Sequence, residues 1–175
     1  NDDTAWLRKA VRWVVNIVVA IACGWFLVYG FGEQVLISGN SMQPQLSAQD
    51  VVLMNRIIYV TGTPDRFDVV VFEREDGKKN VKRIIGLPGE TVQIRDNRVY
   101  INGEPLKEDK MGEVSLAGRA ADPVRLGEKE YFLLGDNRGS SEDSRFPNIG
   151  NVKREQILGK AWFRMLPLLN LGFVS

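Results

Sequence analysis

The sequence predicts a mainly β domain of antiparallel hairpins, carried behind one N-terminal membrane-spanning helix. Three observations predict it. From Trp13 to Phe31 the chain carries no charged side chain; after Glu33, runs rich in Val, Ile, Phe and Tyr alternate with Gly, Pro, Asp and Asn turn signals; and 44% hydrophobic residues over 175 positions suffice for one core.

The first element is WVVNIVVAIACGWFLVYGF, residues 13–31, with Asn16 as its only strongly polar side chain. As a helix it is about 28 Å long at 1.5 Å per residue, close to the thickness of a bilayer core. Arg8, Lys9 and Arg12 crowd its N-terminal side and Glu33 is the first charge after it. The positive-inside rule therefore places residues 1–12 in the cytoplasm as a short tail and residues 32–175 on the extracytoplasmic face. Trp13, Trp25, Phe26 and Tyr29 lie toward the ends, where amphipathic rings favour the interface. Ala20-Ile21-Ala22 and Cys23 imitate a signal-peptide or lipid-modification site, but the apolar continuation GWFLVYGF is no mature start. The basic flank also opposes a buried helix of a soluble protein.

Strand signals follow in order. DVVLMNRIIYV (50–60) and FDVVVFERE (67–75) are separated by TGTPD, and NVKRIIGL (80–87) leads through Pro88-Gly89 to TVQIRDNRVYING (91–103), where Asp96-Asn97 reads as a hairpin loop. A polar, Gly- and Ala-bearing stretch near 105–124 reads as a long excursion with poor local order. EYFLLGD (130–136) is a further strand, NRGSSEDSRFPNIGN a loop, and REQILGKAWFRML (154–166) a last strand. The apolar tail LPLLNLGFV either packs back or touches the membrane.

Composition excludes several chemistries. With no histidine and one cysteine, Cys23, neither His/Cys zinc sites nor histidine-based nucleophilic catalysis is available. A formal net charge of +1 gives no general attraction to nucleic acid. A serine that does chemistry here needs another base. Ser38 and Ser41, in the turn SGNSMQP, are the loop candidates. A lysine serves as base only when neutral, which means lowering its pKa from about 10.4 to about 7 or 8 by burial, at roughly 4 kcal/mol. Lys82, framed by Val81 and Ile84-Ile85, has the apolar context for that. Strand alternation puts Lys82 and Arg83 on opposite faces, so either one points inward and the other out.

Together SGNSMQPQL, DVVVFERE, VKRIIGLPGE and LLGDNRGSSEDSR, in that order after one membrane segment, resemble the type I signal peptidases, and the short length resembles their compact Gram-positive members. The resemblance covers nearly the whole chain. It implies a fold of two antiparallel sheets and a membrane-anchored serine endopeptidase that removes signal peptides from exported preproteins after Ala-x-Ala. Ser41 is then the nucleophile and Lys82 the general base. Ser141 orients the lysine amine, and Asp143 and Arg145 form an ion pair that shapes the site. Ile37, Met42, Leu46 and Val81 line small P1 and P3 pockets, and the substrate binds as an added strand beside residues 80–83 and the segment before Ser41. Some members carry a serine two residues before the nucleophile as an oxyanion donor; this chain has Gly39 there. The implied partners are signal peptides and membrane lipid, with no cofactor, metal or nucleic acid.

Two other readings share these features. Self-cleaving repressors resembling LexA and UmuD use a Ser/Lys pair, but they are soluble and cut themselves at an Ala-Gly or Cys-Gly bond upstream of the serine; the one Ala-Gly pair here, Ala117-Gly118, lies downstream of both residues, and the membrane segment and the GDNR box favour the peptidase. A non-catalytic membrane-anchored β module would need none of Ser41, Lys82 and Ser141.

Overall fold

The computed structural model describes residues 5–174 and divides into two units, Asn1–Glu33 and Gln34–Ser175. Residues 1–4 of the expected cytoplasmic tail lie outside the described residues, as does the side chain of Tyr29.

The first unit is the helix α1, Ala5–Phe31. It begins earlier than the apolar run because Trp6 to Arg12 hold no helix breaker, and its stretch Trp6–Phe26, mean hydropathy 1.5, is long and apolar enough to cross a membrane. Every side chain in that stretch is exposed, so none of it contributes to a protein core.

The second unit holds the two sheets the sequence led us to expect. The larger is built from β1 (Gly32–Leu36), β2 (Val51–Asn55), β3 (Val69–Glu73), β4 (Lys79–Gly86), β9 (Glu130–Leu134), β10 (Val152–Lys153), β11 (Ile157–Leu166) and β12 (Gly172–Phe173). Its order is β1-β2-β11-β3-β4-β9-β10, with β12 also on β11. The smaller sheet is β7-β6-β5-β8, from β5 (Thr91–Arg95), β6 (Arg98–Ile101), β7 (Glu104–Pro105) and β8 (Val124–Arg125). Ile94, Val99 and Val124 of the small sheet meet Ile85, Phe132 and Leu134 of the large one in a buried cluster that joins the two. Each such side chain contributes about 2 kcal/mol on burial.

The hairpin β5–β6 turns where expected: Arg95 pairs with Arg98, and Asp96 and Asn97 take φ of +50° and +59°, the geometry of a two-residue hairpin turn. The run 50–60 does not stay extended to its end. Asn55 Oδ1 accepts hydrogen bonds from the backbone N–H of Ile57 and Ile58, at 2.9 and 3.1 Å, diverting the chain into the short helix α2, Ile58–Thr61. The apolar tail packs back in part, because β12 pairs with β11 and Val174 is buried, while Leu169 and Phe173 remain exposed.

The excursion differs from its expected poor order. It has little regular structure, but Val114 and Ala120 are buried in the inter-sheet cluster, and Val114 N–H donates to Asn97 O at 2.9 Å. Its firmest tie is polar: both Arg138 Nη atoms lie 2.7 Å from the Asp109 carboxylate oxygens. Those fasteners are isolated residues, which carry no periodic signal.

Two strand edges define the site. Among the described residues, β1 ends the sheet beside β2. β9 pairs with β4 along Arg83–Gly86, so among the described residues no strand pairs with the Lys79–Lys82 half of β4 on that side.

Candidate active site

Ser41 sits in the turn after β1. Gly39 has φ +92°, a conformation that side-chain-bearing residues rarely adopt. The turn is held by Gln43 N–H to Asn40 O and Leu46 N–H to Met42 O. From far along the chain Asn137 fastens it twice: its backbone N–H donates to Ser41 O at 3.0 Å, and its Nδ2 to Asn40 O at 3.1 Å. Ser38 is exposed on the rim, and Ser41 is the serine that meets the lysine.

Lys82 Nζ lies 2.7 Å from Ser41 Oγ, and it donates a second hydrogen bond to Val81 O at 3.1 Å. The side chain is buried, and that desolvation lowers its pKa to about 8, although Asp143 and Glu142 pull the other way. At neutral pH about one amine in ten is then uncharged. The expected division of Lys82 and Arg83 into an inward and an outward residue is wrong: both are buried, with 4% and 3% of their surface exposed. Arg83 is tolerated inside because Asp136 meets it, with Nε and Nη2 each 2.8 Å from a carboxylate oxygen, and Phe67 O accepts from Nη1.

The loop after β9 supplies the remaining groups. Asp143 and Arg145 form the expected ion pair, with contacts of 2.8 and 2.9 Å in a fully buried setting. Asp143 also accepts from Gly135 N–H at 3.0 Å, while Arg145 donates to the carbonyls of Leu116, Arg138 and Ser141. Ser141 Oγ is buried and has no hydrogen-bond partner among the described residues. It packs against Gly135, where an added Cβ would come within 2.0 Å of Ser141 Oγ and 2.5 Å of Ser41 O. Asp136, Asn137 and Gly135 escaped the sequence reading; their signal was the GDN tripeptide that precedes Arg138.

A groove runs past the Ser41–Lys82 pair, walled by Val35–Ser38 on β1 and its continuation and by Lys79–Lys82 on β4. Of the four apolar residues expected in substrate pockets, Ile37, Met42 and Val81 reach this groove. Leu46 is completely buried in the same apolar cluster, behind the groove lining.

A serine hydroxyl within hydrogen-bond reach of a buried lysine of lowered pKa, beside a groove between strand edges, is an arrangement compatible with a serine peptidase. Comparison with known proteins agrees. Residues 10–166 match the family model described as signal peptidase, peptidase S26. Signal peptidase I T of Bacillus subtilis is 34% identical over 168 residues, covering 90% of this chain and 86% of that one. Signal peptidase I of Leptolyngbya laminosa is 35% identical over 167 residues, covering 90% and 78%. A crystal structure of a signal peptidase I from Enterococcus faecalis is 35% identical, covers 57% of this chain and 97% of that one, and superposes with a TM-score of 0.49. The chain belongs to the signal peptidase I family, whose members are membrane-associated hydrolases that remove signal peptides.

Proposed function

We propose that this chain is anchored in the membrane by α1 and cuts exported preproteins after Ala-x-Ala, with Ser41 as nucleophile and Lys82 as general base. The observation that carries the reading is the 2.7 Å approach of Lys82 Nζ to Ser41 Oγ, made by an amine whose pKa burial has lowered to about 8.

Neutral Lys82 takes the proton of Ser41 Oγ as the oxygen attacks the carbonyl carbon of the residue before the scissile bond. The oxyanion faces the Ser41 backbone N–H; with Gly39 in place, a side-chain donor from that position is missing. The lysine then hands its proton to the leaving amine and, neutral again, activates the water that releases the acyl group. A lysine ammonium has three N–H donors, and the unpartnered Ser141 hydroxyl is a ready acceptor for it after proton uptake. Asp143 and Arg145 support that step by fixing the loop around Ser141.

The substrate would enter as an extended strand between the two edges, its backbone pairing with Lys79–Lys82 on one side and Val35–Ser38 on the other. Ile37, Met42 and Val81 offer shallow apolar pockets suited to alanine, with Leu46 closing them from behind. Arg8, Lys9 and Arg12, in the first turns of α1 ahead of its uncharged run, support a cytoplasmic side for residues 1–12 and an extracytoplasmic side for the β unit. Nothing in this scheme uses a metal, so activity is expected to survive a chelator.

The test is a peptide spanning a signal-peptide end, with alanine at the first and third positions before the cut, incubated with the detergent-solubilised chain. Mass spectrometry should find one cut after the second alanine. Replacing either alanine with leucine should suppress it, and equal cleavage of both peptides would contradict the pocket assignment. Fractionation tests the anchor: the full chain should partition with membranes, and a fully soluble full chain would remove that part of the reading.

A further inference from the structure

The register of β3 and β4 sets Val70 opposite Lys82 and Phe72 opposite Asn80, so Arg74, two residues beyond Phe72, continues the row of side chains on the Lys82 face. Arg74 opens the tight turn between the two strands: its N–H donates to Lys78 O, and its carbonyl accepts from Gly77 N–H, both at 2.9 Å. From there its guanidinium leaves the hairpin and meets Glu142, with Nη1 3.1 Å from Oε2. Asn148 Nδ2 donates to the other oxygen of the same carboxylate. Asp76 is a looser partner of Arg74, at 3.8 Å.

Glu142 stands between Ser141, whose hydroxyl is buried without a partner, and Asp143, which is completely buried. One ion pair therefore ties the end of the groove wall to the loop that brings Ser141 to the dyad. It bridges residues 68 apart in the chain and belongs to no secondary-structure element.

We propose that Arg74 and Glu142 are positioning residues for the base: their ion pair latches the Ser141 loop to the β3–β4 turn and sets the charge balance around the Lys82 amine. The proposal rests on reading Lys82 as the base. The charged groups that act on the amine are Asp143, Glu142 and Asp136, which favour its cation, and Arg74, which opposes it. Asp143 is committed to Arg145 and Asp136 to Arg83, both deep in the core. The Arg74–Glu142 pair is the adjustable one, with side chains 18% and 53% exposed. Glu142 is held below the usual carboxylate range, first by its hydrogen bond from Asn148 and then by Arg74, so it is an anion throughout the working range of the base.

The signs are opposite for the two partners. Removing the Glu142 charge destabilises the Lys82 cation, so more amine is neutral at a given pH and the rising limb of kcat/KM moves to lower pH. Removing Arg74 does the reverse.

The experiment measures kcat/KM against pH for the full chain in detergent, with an Ala-x-Ala peptide as substrate. Glu142→Gln should move the rising limb down by about 0.3 to 0.7 pH unit and Arg74→Gln should move it up by a similar amount, the size expected of partly screened charges. The double variant should return close to wild type, added salt should shrink both shifts, and the charge-keeping variants Arg74→Lys and Glu142→Asp should leave the limb in place. Glu142→Gln alone keeps the test decisive if Arg74→Gln folds poorly, because a glutamine carbonyl still accepts from Asn148. A limb present in wild type but unmoved in the variants, or moved the same way by both, overturns the latch and leaves Lys82 as base. A wild type with no rising limb removes the base and the latch together.

Discussion

Arg83 and Asp136 face each other inside the protein, their two hydrogen bonds both 2.8 Å long and their side chains 3% and 0% exposed. One follows Lys82 directly on β4; the other follows Gly135, which touches both Ser41 and Ser141. The pair thus joins the strand carrying the lysine to the loop carrying its neighbours. Asp136→Asn leaves the guanidinium buried without its counter-charge, and we expect a loss of about 3–5 kcal/mol of stability. Denaturant unfolding checks this, and a loss below about 1 kcal/mol would show that the pair holds little.

Ser141→Ala separates stability from activity. The hydroxyl is buried without a partner among the described residues, so its removal should leave stability unchanged or raise it by up to about 1 kcal/mol. Activity should nonetheless fall about 10- to 100-fold, because the ammonium formed on proton uptake loses the acceptor proposed for its third N–H. Thermal unfolding and kcat measured side by side decide; unchanged kcat would leave Ser141 without a role in the reaction.

Gly135→Ala asks for space that does not exist. The added methyl would meet Ser141 Oγ, Ser141 Cβ and Ser41 O, all at 2.5 Å or less. Backbone has to move at the nucleophile, and misplacement by about 1 Å costs on the order of 100-fold in rate. Activity should fall with kcat more than with KM, and a fully active Gly135→Ala would mean that the loop yields freely.

The pH profile follows from the burial of Lys82. Its pKa is lowered to about 8, so the proposed base is mostly protonated below that pH and mostly free above it. Activity should therefore rise with pH, by up to tenfold per unit on the acidic side, and level off above about pH 8 to 9. A rate independent of pH from mildly acidic to alkaline conditions would remove Lys82 as the base.

Much of this architecture was legible in the sequence, because period-2 apolar runs and turn residues act locally. The β5–β6 hairpin and the strands at 69–73, 79–86 and 130–134 fall where those signals lie. Local pattern could not tell where Lys82 and Arg83 go. Alternation allowed one of them inside; the fold buries both, because Asp136, 53 residues later, supplies the compensating charge. The excursion misled for a similar reason, since Asp109 is fastened by Arg138, 29 residues away. Ser38 and Ser41 were equivalent as loop serines, and the four ordered motifs, rather than spacing, separated them. The φ of +92° at Gly39 suits a glycine there.

The central claim is that Ser41 and Lys82 act as one unit, and cleavage of an Ala-x-Ala peptide by wild type, Ser41→Ala, Lys82→Ala and the double variant tests it most directly. The account predicts that each single variant loses at least about 10²- to 10⁴-fold in kcat/KM and that the double variant loses no more than the worse of the two. Near-wild-type cleavage by either single variant, or losses that multiply in the double, would contradict it.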